Sequence, residues 1–237
     1  MVQGDNPDRV KELMRLSVPE GAEAFGMQFC RMKAEYRTPK TYKELFALAG
    51  DIPTYVTNYR QGVNEGKSDE QLAEEMVELA ECGATLCDVM GDMFDKQDDE
   101  MARDTAAIER QIELIDRIHK TGAQVLMSSH IFKFTPAERV LEIALEQQRR
   151  GADICKMVVG ADNMAEQIEN MRIISLLKEK LDIPFLLLSS GECHLIRRVG
   201  AKLGCCMYLC VHEYDELATP VQPLLKDVKL LRDTLGM

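Results

Sequence analysis

Charged stretches with helical spacing alternate along this chain with short apolar runs, and the alternation repeats about every 30 residues, the length of a βα unit. The helical stretches fall near 7–17, 39–49, 68–82, 104–120, 136–150, 163–180, 193–203 and 220–235. The apolar runs fall at 24–30, 54–57, 85–90, 124–129, 153–158, 185–189 and 205–210, with a stub at 1–3 ahead of the first helix. Four of the junctions share one phrase: GAEAF at Gly21, GATLC at Gly83, GAQVL at Gly122 and GADIC at Gly151. Glycine there suits a left-handed cap on the preceding helix, and the run after it suits a strand buried on both faces. Two more junctions share Asp-Ile-Pro, at 51–53 and 182–184, and the last is Leu203-Gly204-Cys205. Strands alternating with helices predict a parallel sheet, and eight such units favour a closed (β/α)8 barrel of the TIM type over a doubly wound sheet. The first strand is the weak point, because it is short.

Composition narrows the picture. A chain of 237 residues, 46% hydrophobic, fits a single barrel domain over 1–237. A formal charge of -11 argues against a nucleic-acid or anionic-membrane partner, both of which need a basic face. It leaves room for a small anionic substrate, which a few local basic groups hold. No run reaches the roughly 18 apolar residues of a membrane span, and the opening MVQGDNPDRVKELM lacks the layout of a signal peptide. Eight cysteines without such a signal read as reduced thiols of a cytoplasmic protein. Six of them (Cys30, Cys87, Cys155, Cys205, Cys206, Cys210) lie in apolar runs and read as core; no spacing suits a metal site. A homodimer is the assembly expected. The acidic stretch DKQDDEMARD at 95–104 reads as a solvated loop on the face where barrels carry their chemistry.

The polar residues that end the apolar runs carry the candidate chemistry. Thr57-Asn58-Tyr59-Arg60 ends one run and Asn64-Glu65-Gly66 follows it. Asp88 and Asp92 mark the next, Ser128-Ser129-His130 ends another, and Ser189-Ser190-Gly191 precedes His194 and Arg198. Lys156 lies inside the apolar run ICKMVV. Such a lysine either snorkels or pairs with a carboxylate, or it is an imine-forming nucleophile, for which burial favours the neutral amine. His130 ends the preceding run, so the two side chains are expected to be neighbours. Asp88 and Glu65 are candidates to orient His130, although Asp88 equally suits a helix cap. Arg60 and Arg198 suit a carboxylate clamp, with Arg197 as competitor. His119 and His212 read as structural; His194 stands between the two readings.

These residues fall in segments that resemble the type I 3-dehydroquinate dehydratases. SSHIFKFTPAE (128–138) resembles that family's histidine segment, and GADICKMVV (151–159) resembles the segment whose lysine forms the imine. VTNYRQGVNEG (56–66) is similar to its T-x-R…E-G-G segment, with one extra residue before Glu65. LIRRVGAKLG (195–204) is similar to the segment of the arginine that holds the substrate carboxylate, here Arg198. ATPVQP (218–223) is similar to the terminal loop whose glutamine falls on Gln222. The departures concern recognition. The family's Glu-x-Arg pair becomes Gly26 and Gln28, the loop serine becomes Ala218, and Met-Pro after the lysine strand becomes Gly160-Ala161. The loop after the last serine pair becomes Ser190-Gly191-Glu192-Cys193-His194, and the N-terminal strand pair of many members has no counterpart.

The resemblance implies a Schiff-base hydro-lyase that converts 3-dehydroquinate to 3-dehydroshikimate in aromatic amino-acid biosynthesis. Lys156 and His130 would be catalytic, with Glu65 and Asp88 in support. Arg60, Arg198, Gln222, Gln28, Ser190 and His194 would bind a small anionic hydroxy-ketone. No metal or organic cofactor is called for, since the imine is the electron sink. The altered recognition residues keep open a related cyclic hydroxy-ketone carboxylate, or a divergent class I aldolase or lyase. A catalytically silent barrel that binds a small anion is the reading from outside catalysis.

Overall fold

The computed structural model describes residues 1–236. Its strands are β1 (Phe25–Gln28), β2 (Thr54–Thr57), β3 (Leu86–Met90), β4 (Gln124–His130), β5 (Ile154–Gly160) and β6 (Phe185–Ser190), and they form one parallel sheet in chain order. Helices α1 (Pro7–Ser17), α2 (Pro39–Ala49), α3 (Asp69–Glu81), α4 (Thr105–His119), α5 (Ala137–Arg149), α6 (Met164–Lys180), α7 (Ile196–Leu203) and α8 (Leu225–Leu235) alternate with them.

Local chemistry explains the boundaries. Asn6, Thr38, Ser68 and Asn163 each accept a backbone N–H from the first turn of a helix, and Pro7 and Pro39 open α1 and α2. Ser68 and Gln71 form a reciprocal capping box. The four repeated glycines have φ of 91° (Gly21), 115° (Gly83), 92° (Gly122) and 99° (Gly151), a region that any other residue enters at a cost.

Six of the eight expected runs form ladder strands, and two do not. At the chain start, Val2 makes a single parallel bridge to Met27, with Val2 N donating to Gly26 O at 2.8 Å. Asn6 caps α1 four residues after that bridge. Over 205–210, Cys206 N donates to Phe185 O at 2.9 Å, and Cys210 O accepts from the Met1 ammonium. Met207 and Tyr208 between them are half exposed, and an apolar run that is not buried on both faces holds no ladder here.

By its internal contacts the chain divides into two compact units. Unit 1 comprises Met1–Asp88, Asp116–Gln124 and Leu209–Met237; unit 2 comprises Val89–Ile115 and Val125–Tyr208. The core of unit 1 includes Leu13, Met27, Leu45, Val56, Leu72 and Phe29, whose ring meets Tyr42 edge-on at 4.9 Å. That of unit 2 gathers Ile115, Val125, Met127, Ile143, Met157 and Ile173. Of the six cysteines read as core, five are buried and Cys206 is exposed. Among the described residues no helix is long and apolar enough to cross a membrane.

Candidate active site

Lys156 lies in the middle of β5 and is 3% exposed. Its strand position is gripped from α5: Gln147 Oε1 accepts from Lys156 N at 3.1 Å, and Gln147 Nε2 donates to Lys156 O at 3.3 Å. The same Nε2 reaches Ser129 Oγ at 3.0 Å, so one buried amide ties β4 to β5. The register pairs Ser128 with Lys156 and His130 with Val158. Side chains alternate along a strand, so Ser128, His130, Lys156 and Val158 share one face, and His130 is the diagonal neighbour of Lys156.

The His130 ring is held from two sides. Glu100, in the β3–α4 loop, places Oε2 2.8 Å from His130 Nδ1 and accepts from His130 N at 2.6 Å. Phe132 stacks on the imidazole with centroids 5.7 Å apart and planes at 21°. Behind the ring, Gly160 N donates to Lys133 O at 2.8 Å, and a Cβ at Gly160 would lie 2.6 Å from Lys133 C. The glycine after the lysine strand therefore lets the His130 loop close against β5.

At the end of β6, Arg197 is buried and donates Nε to Ser189 O at 2.5 Å. No carboxylate pairs with it among the described residues, and burial pushes its guanidinium down to about 10. Ser190 Oγ donates to Val159 O at 3.1 Å. His194 is half-buried, and its Nε2 is sealed from solvent without a hydrogen-bond partner among the described residues. Arg198, expected to clamp a carboxylate, is exposed; helical spacing turns Arg197 inward and its neighbour out.

Unit 1 carries the other expected site residues. Gly26, Gln28, Tyr55 and Thr57 share one face of β1 and β2. A Cβ at Gly26 would lie 2.1 Å from Met1 Sδ and 3.3 Å from a Tyr55 ring carbon, so the Met1 side chain would have to move to admit one. Gln28 Oε1 accepts from Gln3 Nε2 and from Arg31 Nε, the latter at 3.1 Å. Asp88 is buried and accepts from the hydroxyls of Tyr55 and Tyr59, the latter at 2.5 Å. Burial, and then the Asp88 charge, push both phenols well above their ordinary range, so they remain donors. Arg60 is engaged by Asp69 through two bonds of 2.7 Å, which occupies the fork expected to clamp a substrate carboxylate. Glu65 lies exposed at the end of a 3-10 turn. Gln222 is buried with Oε1 lacking a partner among the described residues.

Sequence reasoning did not single out Glu100, Gln147 or Tyr55, and of two adjacent arginines it favoured Arg198, the exposed one, over the buried Arg197. Nδ1 of His130 meets Glu100, where the sequence pointed to Asp88 and Glu65. The available signal for Arg197 was the face of α7 it shares with Gly200 and Ile196, both buried. Among the described residues no group of three His, Cys, Asp or Glu side chains is placed to hold a metal ion.

Comparison with known proteins matches residues 29–235 to the family model described as type I 3-dehydroquinase. A curated 3-dehydroquinate dehydratase from Geobacillus thermodenitrificans is 28% identical over 194 residues, 80% of this chain and 70% of that protein. The chain also superposes on the 3-dehydroquinate dehydratase of Geobacillus kaustophilus with a TM-score of 0.82 at 17% identity, covering 98% of this chain and 88% of that one. The type I 3-dehydroquinate dehydratase of Clostridium difficile, in a structure with covalently modified comenic acid, gives 0.81 at 19% identity, covering 99% and 90%. At those identities the two structures speak for the shared α/β fold.

Proposed function

The chain belongs to the type I 3-dehydroquinase family, and from that premise we propose that it is a Schiff-base hydro-lyase whose nucleophile is Lys156 and whose general acid and base is His130. The observation that carries the reading is the β4–β5 register, which sets a buried lysine and a held histidine on one face as diagonal neighbours. The Lys156 amine adds to a ring ketone, and His130 assists loss of water from the carbinolamine to give the imine. The cationic imine acidifies the adjacent C–H, His130 Nε2 removes that proton, and the resulting enamine expels the β-hydroxyl. His130 returns the proton to the departing oxygen, and hydrolysis of the product imine frees Lys156.

Arg197 is the residue we assign to the substrate carboxylate, in place of Arg60 and Arg198. A buried guanidinium without a carboxylate partner is costly, and an anion beside it relieves the cost with bidentate geometry. Ser190 and His194 flank it at the end of β6, and His194 Nε2 lacks a partner. We also read the short contacts at Val2 and Cys206 as the reduced counterparts of the two remaining barrel strands.

The substrate is 3-dehydroquinate or a cyclic hydroxy-ketone carboxylate close to it. Gly26 supplies no acidic side chain, and Gln28 is already bonded to Gln3 and Arg31. Loss of a charged hydrogen-bond partner costs about 1.5–3 kcal/mol, or roughly ten- to over a hundredfold in recognition. Turnover of 3-dehydroquinate, followed by the ultraviolet absorbance of the conjugated product, is therefore expected with kcat/KM below about 10⁴ M⁻¹s⁻¹. A value above that would show that the altered face leaves recognition of the parent substrate intact; no turnover of any hydroxy-ketone in the series would remove the hydro-lyase reading.

A further inference from the structure

Resting on the catalytic reading of His130 above, we propose that Glu100 is a positioning residue that fixes the His130 tautomer, and that the β3–α4 loop is folded to present it. A carboxylate only accepts, so the ring nitrogen 2.8 Å from Glu100 Oε2 carries a proton, and in the neutral form of the ring Nε2 is then the nitrogen that can take one up. The same Oε2 accepts from His130 N at 2.6 Å, so one oxygen sets both the backbone and the ring of the residue. Phe132 closes the other face of the imidazole, which leaves the ring little freedom to flip.

The loop pays for this geometry with strain and holds it with buried bonds. Glu100 has φ of 48°, in the left-handed region that a residue with a side chain rarely adopts. Its carbonyl accepts from Ser129 Oγ at 2.9 Å, the same hydroxyl that Gln147 reaches from beside Lys156. Gly91 N donates to Ser128 O at 2.8 Å, and Ala102 N donates to Gly91 O at 2.9 Å, which folds the loop back along β4. Glycine is required at 91, because a Cβ there would lie 2.6 Å from Glu100 O. Arg150, buried, donates to Gly91 O at 3.0 Å and to Ala102 O at 2.7 Å, fastening both ends of the excursion. Asp99, next to Glu100, accepts from Arg139 at 2.7 Å and from Arg103 at 2.8 Å. A loop that only solvated an acidic run would need none of these bonds. Glu100 lies within the span of the family match but outside the five short segments that resemble the family's motifs, and its role rests on this geometry.

The test reads the tautomer without turnover and then with it. Nitrogen-15 NMR of the full chain at pH 8.5 is expected to find His130 protonated at Nδ1, and Glu100→Ala is expected to move it to the Nε2–H form. With substrate, Glu100→Ala should lower kcat by at least about tenfold, leave KM within about threefold, and leave the yield of borohydride-trapped Lys156 unchanged. Glu100→Gln, which keeps an acceptor oxygen and the size of the side chain, should restore the Nδ1–H form and an intermediate kcat. The same tautomer in wild type and Glu100→Ala, or a kcat within twofold of wild type, overturns the proposal. So does a Gln variant no better than the Ala variant. If the wild-type chain forms no imine, the catalytic reading fails separately and the tautomer comparison decides the proposal by itself.

Discussion

Unit 1 and unit 2 carry the same kinds of polar residue and use them differently. In unit 1 the candidates are bonded to one another. Asp88 is taken by Tyr55 and Tyr59, Arg60 by Asp69, and Gln28 by Gln3 and Arg31. Arg37 likewise donates to Glu75, Asn58 and Asn64. In unit 2, Arg197 is buried with no carboxylate among the described residues, and His194 Nε2 has no partner. A buried polar group is retained at a cost that a partner offsets. In unit 1 the arginine and carboxylate candidates have neighbouring side chains as partners, whereas Arg197 of unit 2 has a backbone carbonyl alone among the described residues. In unit 1, Thr57 Oγ1 and Gln222 Oε1 are buried without a hydrogen-bond partner among the described residues.

The largest effect that tests the contrast is at the base. His130→Ala in unit 2 is expected to lower turnover by roughly 10²–10⁴-fold while leaving slow imine formation. Near-normal kcat would make His130 structural and turn attention to His194.

The next effect sets three arginines against one another. Arg197→Leu should raise KM by about ten- to a hundredfold, the loss of a charged hydrogen bond to the substrate. Arg198→Leu should change neither KM nor kcat by more than about twofold. Arg60→Leu should cost about 1 kcal/mol of stability, as a partly buried pair loses one member, with KM unchanged. Steady-state kinetics and thermal melts of the three variants decide this. A KM effect at Arg60 or Arg198 equal to that at Arg197 would erase the distinction between paired and unpaired groups.

How far the sequence reveals these features follows the same division. The glycine-capped junctions are local, and each repeated phrase gave a helix end and a strand start close to those observed. The fate of the first and last runs is not local. Whether 1–3 and 205–210 become ladder strands depends on their neighbours and on burial over several residues, and both runs fell short. Lys156 and His130 could be found because an ionisable residue inside or ending an apolar run stands out. Their supports could not. Gln147 is an ordinary helix residue in the sequence, and Glu100 sits in a run whose acidity suggested solvent. Only tertiary structure shows that the amide spans two strands and that one carboxylate of the run turns back to a histidine. Arg60 and Arg198 were natural choices for a clamp by residue type. Arg60 pairs with Asp69 and Arg198 lies on the outward side of its helix, and neither fact can be read from type alone.

The central claim is that Lys156 is the nucleophile, and covalent trapping tests it most directly. Incubation of the full chain with a hydroxy-ketone substrate and borohydride, followed by peptide mass spectrometry, should place the reduced adduct on Lys156 alone. Lys156→Arg, whose guanidinium stays protonated, should show neither adduct nor turnover. An adduct mapped to Lys133 or Lys202, or turnover that survives in Lys156→Arg, would contradict the account.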